Sequence, residues 1–167
     1  VYYVKATYTI TSNGVYVKLD AIKNDKLKGM NRSSSEETDL DLNLKTELAE
    51  VPRFGMRFAL DSAFENIEYF GKGDRECYAD MQNYTKMGIW SSTVTNEYEP
   101  YIKPQDCGNH VNTKWLTLSD GETVTFTAED KFEFSALHYT IEELDEMAHS
   151  YELEKSDTTE VIISYKN

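Results

Sequence analysis

The sequence has 167 residues, of which 40% are hydrophobic and 28% charged, enough for one globular domain with a real core. Its 30 Asp and Glu residues outnumber 17 Lys and Arg residues, giving a net charge of −13. This balance disfavours nucleic acid and anionic membrane surfaces as partners, because both attract basic proteins. No apolar run is long enough to cross a bilayer. Two cysteines are too few for a disulfide framework or a structural zinc site.

The first residues of the chain alternate between apolar and polar side chains. This pattern predicts a strand over residues 1–10 and another over residues 15–22. Between them lies Asn13-Gly14, a pair that tolerates positive φ and favours a tight hairpin turn. The sequence therefore opens with a predicted β-hairpin.

A polar segment follows the hairpin, and we interpret residues 24–39 as a loop insertion because large apolar side chains are sparse there. Beyond it, short apolar or alternating runs bounded by turn residues predict further strands. They cover residues 40–48, 54–60, 67–70, 115–118, 123–126, 131–135 and 161–165.

One segment, residues 140–150, has a helical pattern instead. Thr140 and Glu143 have the spacing of a capping box, and Ile141, Leu144 and Ala148 share a face. Many short strands with one short helix predict an all-β fold, an antiparallel sandwich or barrel. No internal repeat or linker divides the chain, so we expect residues 1–167 to form a single domain.

Two segments carry a resemblance to a known family. The first is Pro104-Gln105-Asp106-Cys107-Gly108, followed by Lys114-Trp115. On physical grounds alone it is a proline-punctuated turn leading into a strand. It resembles the Pro-Gln-Glu-Asn-Gly segment, with a basic residue and Trp following, of the C-terminal small-chain domain (domain 5) of glycoside hydrolase family 2 β-galactosidases.

The second segment resembles the Gly-x-Gly-Pro-x-Glu-Asn-Tyr-x-Asp-Arg motif of the same domain. The chain departs from it by having Asp74 for Pro, Cys77 for Asn and Met81 for Arg. The third glycine and the helix that a dinucleotide fingerprint requires are not seen in the sequence pattern, so we interpret the glycines as a turn after a strand. The residues in register are Gly71, Gly73, Glu76, Tyr78 and Asp80.

The resemblance extends over residues 51–167, through residues 53–58, residues 134–139 and His149. It implies a truncated antiparallel β-sandwich of the supersandwich, galactose-mutarotase-like type, so that residues 1–167 are one partial domain. A sandwich cut at both ends exposes sheet edges, and we expect a large apolar patch or self-association. Because the chain begins at Val1 and not at Met, it is interpreted as an excised or processed piece. Its parent's location, cytoplasmic or exported, stays open.

The resemblance also implies a role. In these enzymes the catalytic acid and nucleophile lie on a (β/α)₈ barrel, so we expect no catalytic residue in this chain and only a contribution to active-site shape and subunit packing. The partners implied are the remaining domains of the parent chain and, in the parent, a β-galactoside. The Trp expected to stack on the sugar would lie beyond Asn167, and no substrate-binding residue is assigned here. Trp90 and Trp115 are predicted to be core residues.

No cofactor or metal site is predicted in this chain. His110, His138 and His149 are scattered and have no accompanying ligand spacing, which favours structural roles. The family implies Mg and Na ions for the parent enzymes.

Cys77 and Cys107 both replace the Asn of an acidic-Asn pair in the two motifs. This coincidence raises the hypothesis that the two side chains face each other closely enough to form a disulfide. Two unrelated buried thiols are an equal alternative, because free cysteine is readily buried.

Two further functions remain open. One is a free-standing carbohydrate-binding module. The other is a mutarotase-like aldose epimerase, which requires a His and a Glu facing one sugar pocket.

Overall fold

The computed structural model describes residues 2–23 and 53–166. The chain divides into two compact units, Val1–Ala49 and Glu50–Asn167. The strand predicted over residues 40–48 and the loop insertion predicted over residues 24–39 lie outside the described residues. The assignment of one partial domain to residues 1–167 stays a prediction. Within the described ranges, no helix is long and apolar enough to cross a membrane.

The first unit contains the predicted hairpin, with strands β1 (Tyr2–Thr11) and β2 (Gly14–Lys23). The register places Ile10 opposite Val15 and Tyr8 opposite Val17, so apolar side chains meet apolar side chains on one face. Gly14 has a φ of +152°, which suits the glycine of the predicted turn. The hairpin prediction is confirmed.

The second unit contains one six-stranded sheet in which every neighbouring pair is antiparallel. The strand order across the sheet is β3-β8-β7-β6-β4-β5. The high strand content, the antiparallel pairing and the presence of one short α-helix among residues 2–23 and 53–166 confirm the predicted all-β sandwich class. The strands are β3 (Phe54–Asp61), β4 (Asn66–Gly73), β5 (Lys86–Thr93), β6 (His110–Ser119), β7 (Thr123–Leu137) and β8 (Thr158–Lys166).

The core of this unit lies on one face of the sheet, where alternate residues of neighbouring strands point the same way. Tyr69 of β4, Leu116 of β6 and Phe134 of β7 are fully buried there. The rings of Tyr69 and Phe134 meet edge to face at 5.1 Å. Trp90 packs against this cluster, as predicted for a core residue.

Three strands differ from their predictions. β4 continues through Gly71 and Gly73, where the sequence predicted a turn. The two glycines are needed inside the strand, since a Cβ at Gly71 would lie 2.7 Å from Thr113 Oγ1 and one at Gly73 would lie 2.3 Å from the Tyr69 hydroxyl. β7 is one strand of 15 residues where two were predicted. β5 was not predicted, because its small and polar residues hide its alternation.

The helix α1 (Ile141–Glu146) is shorter than the predicted residues 140–150. Its capping box is confirmed: Thr140 Oγ1 accepts from the Glu143 N–H at 3.1 Å, and Glu143 accepts from the Thr140 N–H at 2.7 Å. Met147 has extended dihedrals, which end the helix, and a short 3-10 turn (Ser150–Glu152) follows.

Candidate functional site

The two family-like segments meet at one carboxylate, that of Glu76. Its Oε2 accepts a hydrogen bond of 2.8 Å from the backbone N–H of Gly108, and its Oε1 accepts one from the Tyr101 hydroxyl. The Tyr78 hydroxyl lies 3.5 Å from Oε2 and donates to the Asp106 carbonyl at 3.3 Å. We call Glu76, Tyr78, Tyr101, Asp106 and Gly108 the motif junction.

The backbone at Gly108 explains why glycine stands at this point of the junction. Its φ is +69°, a conformation that side chains rarely adopt. A Cβ there would also lie 2.6 Å from the Glu97 carbonyl oxygen. Glycine thus lets the chain turn closely under Glu97 while its N–H reaches Glu76.

The surroundings of the junction are charged and partly buried. Arg53 forms an ion pair with Asp106, with 22% and 31% of the two side chains exposed. Burial, followed by the nearby Glu76 charge, raises the pKa of Tyr78 well above its usual range. The hydrogen bond to Glu76 raises the pKa of Tyr101 in the same direction. Both tyrosines therefore stay neutral hydrogen-bond donors at physiological pH.

Next to the junction, His110 is buried in a closed polar cluster. Its Nε2 lies 2.5 Å from Glu97 Oε2, and its Nδ1 lies 3.0 Å from the Tyr69 hydroxyl and 3.3 Å from the Lys72 carbonyl. The exposed fraction is 0% for the His110 side chain and 7% for that of Glu97. Burial alone lowers the pKa of His110, but hydrogen bonding to Cys77 and Glu97 raises it to about 9. This raised pKa favours the protonated form of His110 at neutral pH.

A second histidine–glutamate pair supports the same region. His138 Nε2 lies 2.6 Å from Glu65 Oε2, and its Nδ1–H donates to the Thr158 carbonyl at 3.1 Å. Glu65 Oε1 accepts from the Thr95 N–H at 3.0 Å. Burial opposes a low pKa at Glu65, but hydrogen bonds from Thr95 and His138 lower it. Glu65 and His110 thus hold the two ends of one 3-10 turn, Val94–Glu97.

A shallow depression of about 140 Å³ lies elsewhere on this unit. Asn112, at its edge, has a φ of 57°, and the pairing of β6 with β7 is irregular at this point. Asn112 Nδ2 donates to Gln82 Oε1 at 3.3 Å. The lining also includes Lys131, Phe132, Glu133 and Tyr165.

Comparison with known proteins places this chain in a family. A family model described as β-galactosidase small chain matches residues 1–167. This chain belongs to the β-galactosidase small-chain family. Among curated relatives, it is 40% identical over 121 residues to a β-galactosidase of Actinobacillus pleuropneumoniae, covering 72% of this chain and 12% of that protein.

Two further relatives agree with this assignment. The chain is 40% identical over 118 residues to a β-galactosidase of Streptococcus thermophilus, covering 69% of this chain and 12% of that protein. It is 33% identical over 135 residues to one of Staphylococcus xylosus, covering 80% and 14% respectively. This small-chain sequence thus spans only about an eighth of the length of these relatives, and it is a fragment relative to them.

The structure brings some of the small-chain motif residues together and leaves others apart. Glu76, Tyr78 and Gly108 meet at the junction, and Pro104 is fully buried beside it. Gly71 and Gly73 lie in β4, packed by Thr113, Tyr69 and Trp90. The remaining motif residues, Asp80, Gln105, Trp115 and His149, take no part in the junction's hydrogen bonds.

One of these residues, Trp115, departs from its predicted place. Trp115 is half-buried and alternates with the core residue Leu116 along β6, so it does not belong to the core as predicted. His149 lies after the end of α1, stacks on Tyr151 at 5.1 Å and has Glu152 within 3.5 Å. It is exposed because the helix ends earlier than its sequence pattern predicts.

The structure does not contain the hypothesised disulfide, since Cys77 and Cys107 are both free and buried. The two thiols have separate surroundings. Cys77 Sγ accepts from the Val111 N–H at 3.5 Å, whereas Cys107 packs in a small apolar cluster with Leu137 and Leu144. Burial raises the pKa of Cys107 to about 11, which makes it an unreactive thiol at neutral pH. This arrangement agrees with the alternative interpretation, in which Cys77 and Cys107 are two separate buried thiols.

Sequence reasoning did not identify Glu97, Tyr101 or Arg53 as parts of this region. Tyr101 lies between Pro100 and Pro104, and the turn chemistry of that segment was the only available signal. Glu97 and Arg53 are distant in sequence from the residues that they contact, so no spacing pattern connects them.

The carboxylates of this region are used to fix the backbone. Glu76 binds the 98–109 loop, Glu65 binds the backbone of the 94–97 turn, and Glu97 connects that turn to His110 of β6. In the part of the chain that the structure describes, no group of three His, Cys, Asp or Glu side chains is placed to hold a metal ion. What the junction can do is hold a long loop in one conformation against the sheet.

Proposed function

We propose that this chain is a non-catalytic part of a β-galactosidase, in which it shapes the approach to the active site and takes part in subunit packing. The parent enzyme would hydrolyse terminal β-D-galactosides. The match over residues 1–167 and the β-galactosidase names of the relatives support this proposal. The chain corresponds to 12% of the first relative's length, so hydrolysis is assigned to the whole enzyme.

The bond from Gly108 to Glu76 carries the proposal. It fixes the 98–109 loop on the sheet, and the ion pair between Arg53 and Asp106 adds a second attachment. The loop nevertheless presents exposed groups outward, with Ile102 at 97% exposure. A rigid loop with an exposed apolar side chain suits contact with another part of a larger protein, because little conformational entropy is lost on binding.

The proposal is tested by comparing the activity of the isolated chain with that of the whole enzyme. The isolated chain should not hydrolyse a chromogenic β-galactoside, whereas the whole enzyme should. In the whole enzyme, Glu76→Gln should lower kcat/KM or weaken subunit assembly, because the 98–109 loop loses its charged anchor. Glu99→Gln, at an exposed position of the same loop, should change neither quantity. Hydrolysis by the isolated chain, or a parent that does not act on β-galactosides, would refute the proposal.

The Mg and Na ions implied by the family are proposed to bind to other parts of the parent. Magnesium prefers several oxygen ligands in octahedral geometry, and the carboxylates of the junction region are already used by backbone and side-chain donors.

A free-standing carbohydrate-binding module is the second candidate, and the depression near Asn112 is the observation that favours it. Lys131 and Glu133 supply opposite charges, and the exposed ring of Tyr165 supplies aromatic surface, a combination that suits a neutral polar ring. Thermal shift and titration calorimetry with galactose and lactose decide between the candidates. A saturable shift that Gln82→Ala abolishes would favour the module. No shift at high millimolar sugar favours the parent-enzyme role.

No observation favours the mutarotase-type epimerase. Its chemistry requires a histidine and a glutamate facing one open sugar pocket. The buried histidines, His110 and His138, face Glu97 and Glu65 in closed contacts, and neither lines the depression.

A further inference from the structure

The two edge strands of the six-stranded sheet differ in how they are protected. β3 and β5 stand at the two ends of the strand order, so each pairs with one neighbour among the described strands. An edge strand presents unpaired backbone N–H and C=O groups to any passing strand. Natural proteins protect such edges with charges, prolines, bulges or covering elements.

The β3 edge carries several of these protections. Its pairing with β8 is irregular at its start, where Phe54 lies opposite Lys166 and Gly55 opposite Ser164, so that one residue of β8 is left without a partner. Arg57 lies in the middle of the strand and makes hydrogen bonds to Glu142 of α1 at 2.8 and 2.9 Å. It also bonds to Glu160 of β8 at 3.0 Å. A second strand approaching β3 would meet the charged cluster around Arg57.

The β5 edge carries almost none of the features that protect an edge strand. Its pairing with β4 is continuous from Asn66 opposite Thr93 to Gly73 opposite Lys86, with no register shift. Lys86, the first residue of β5, is the only charged residue in the sequence between Met81 and Asn96. This stretch contains no proline, although 28% of the whole chain is charged. This regular edge, with a single charge at its start, is suited to accept another strand.

The side chains of β5 support the same inference. Met87 and Ile89 lie two residues apart on one face, with 46% and 65% of their surface exposed. Met81 and Tyr84, just before the strand, are 43% and 53% exposed. Exposed apolar side chains concentrated beside an open strand edge mark an interaction site.

We propose that β5 is covered, in the parent β-galactosidase, by an extended segment from another part of the same polypeptide that adds a seventh strand to the sheet. This segment would pair through its backbone and place apolar side chains against Met87 and Ile89. The inference rests on the proposed function, because it requires a longer parent. Relatives are about eight times as long as the matched region, so the remaining polypeptide is ample to supply the strand.

Charge favours a segment of the parent over a second copy of this chain. Each copy carries a net charge of −13, and bringing two such chains together is opposed by repulsion. The stretch around β5 contributes only one positive charge, which is too little to offset this repulsion. A strand supplied within one polypeptide also has a high effective concentration, so it needs little intrinsic affinity.

Amide hydrogen exchange on the whole enzyme, followed by mass spectrometry, tests the proposal. Peptides spanning 86–93 should exchange at least about tenfold more slowly in the whole enzyme than in the isolated chain, because strand pairing protects backbone amides. Peptides spanning 54–61, on the protected edge, should change much less. Equal exchange of 86–93 in the two samples would overturn the proposal. Protection in the isolated chain that grows with its concentration would instead identify a second copy as the occupant.

Ile89→Lys provides an independent test, with Ala59→Lys on the β3 edge as its matched control. Both positions are exposed in this chain, so neither substitution should prevent folding. Ile89→Lys should accelerate exchange over 86–93 in the whole enzyme several-fold, whereas Ala59→Lys should leave that region unchanged. If Ile89→Lys leaves exchange over 86–93 unchanged in the whole enzyme, the proposal that a strand covers β5 is contradicted. If the whole protein does not hydrolyse β-galactosides at all, the proposed function fails, which is a distinguishable result.

Discussion

The carboxylate of Glu76 and the backbone N–H of Gly108, 32 residues apart in sequence, are joined by a hydrogen bond of 2.8 Å. This bond connects the two segments that resemble the family motifs. Because Glu76 follows β4 and Gly108 precedes β6, the bond closes the long connection between two adjacent strands. The junction therefore stabilises the loop without placing its carboxylate in an open pocket.

Glu76→Gln should lower the free energy of unfolding by about 1.5–3 kcal/mol, the range for losing hydrogen bonds to a charged group. The neutral amide has one acceptor oxygen where the carboxylate offers two, so it can no longer accept from both Gly108 and Tyr101 at these two positions, and both bonds lose their charge assistance. Urea unfolding measures the difference.

Glu99→Gln is the control for this substitution, since Glu99 is exposed and its side chain takes no part in the junction. It should change the free energy of unfolding by less than about 0.5 kcal/mol. Equal effects of the two substitutions would mean that the junction bond contributes nothing specific.

Gly108→Ala should be among the most destabilising single-methyl additions in the chain. It combines a φ of +69° with a Cβ contact of 2.6 Å to the Glu97 carbonyl. Gly121→Ala is the matched control, because Gly121 has a φ of +124° and no atom within 4 Å of its added Cβ. Gly108→Ala should lose at least about 2 kcal/mol more than the control, since both variants carry the strain of a positive φ and only Gly108→Ala adds a clash with a backbone atom. Similar losses in the two variants would show that the Glu97 contact relaxes easily.

The strands that the sequence predicted well are those with a simple alternation. The hairpin follows from its alternating residues and from Asn13-Gly14, and the capping box of α1 follows from the spacing of Thr140 and Glu143. These signals are local, so a single sequence contains them in full. The family motifs also showed that the two motif segments occur in the same order along the chain as in the family.

The parts that the sequence missed depend on contacts between distant residues. Gly71 and Gly73 were interpreted as turn residues because glycine usually punctuates strands, but here close packing by Thr113 and Trp90 requires them within β4. β5 was not predicted because Gly88 and a run of Ser and Thr weaken the alternation of apolar and polar residues. The pair of His110 with Glu97 spans 13 residues without any periodic spacing, so it becomes visible only in three dimensions.

Both thiols should be unreactive in the native chain and free after unfolding. Cys77 and Cys107 are buried, and the pKa of Cys107 is raised to about 11 by burial. Ellman's reagent should therefore label fewer than about 0.2 thiols per chain within minutes at pH 8, because the thiolate is the reactive form. In denaturant without reductant it should label two. No labelling in denaturant until a reductant is added would establish the disulfide after all.

The stability of the chain should fall as the pH rises through about 9, because of His110. Hydrogen bonding to Cys77 and Glu97 raises its pKa from 6.5 to about 9 despite burial. A group whose pKa is raised on folding contributes stability that is complete below its unfolded pKa and is lost above its folded pKa. The free energy of unfolding should thus decline between about pH 6.5 and 9, by an amount on the order of 3 kcal/mol. Urea unfolding at several pH values measures this decline, and Glu97→Gln should flatten it. His138→Gln is the control, because it removes the other buried histidine, which binds Glu65, and leaves the His110–Glu97 pair intact. If the decline persists in Glu97→Gln but disappears in His138→Gln, the pH dependence comes from the His138–Glu65 pair, and this prediction is wrong.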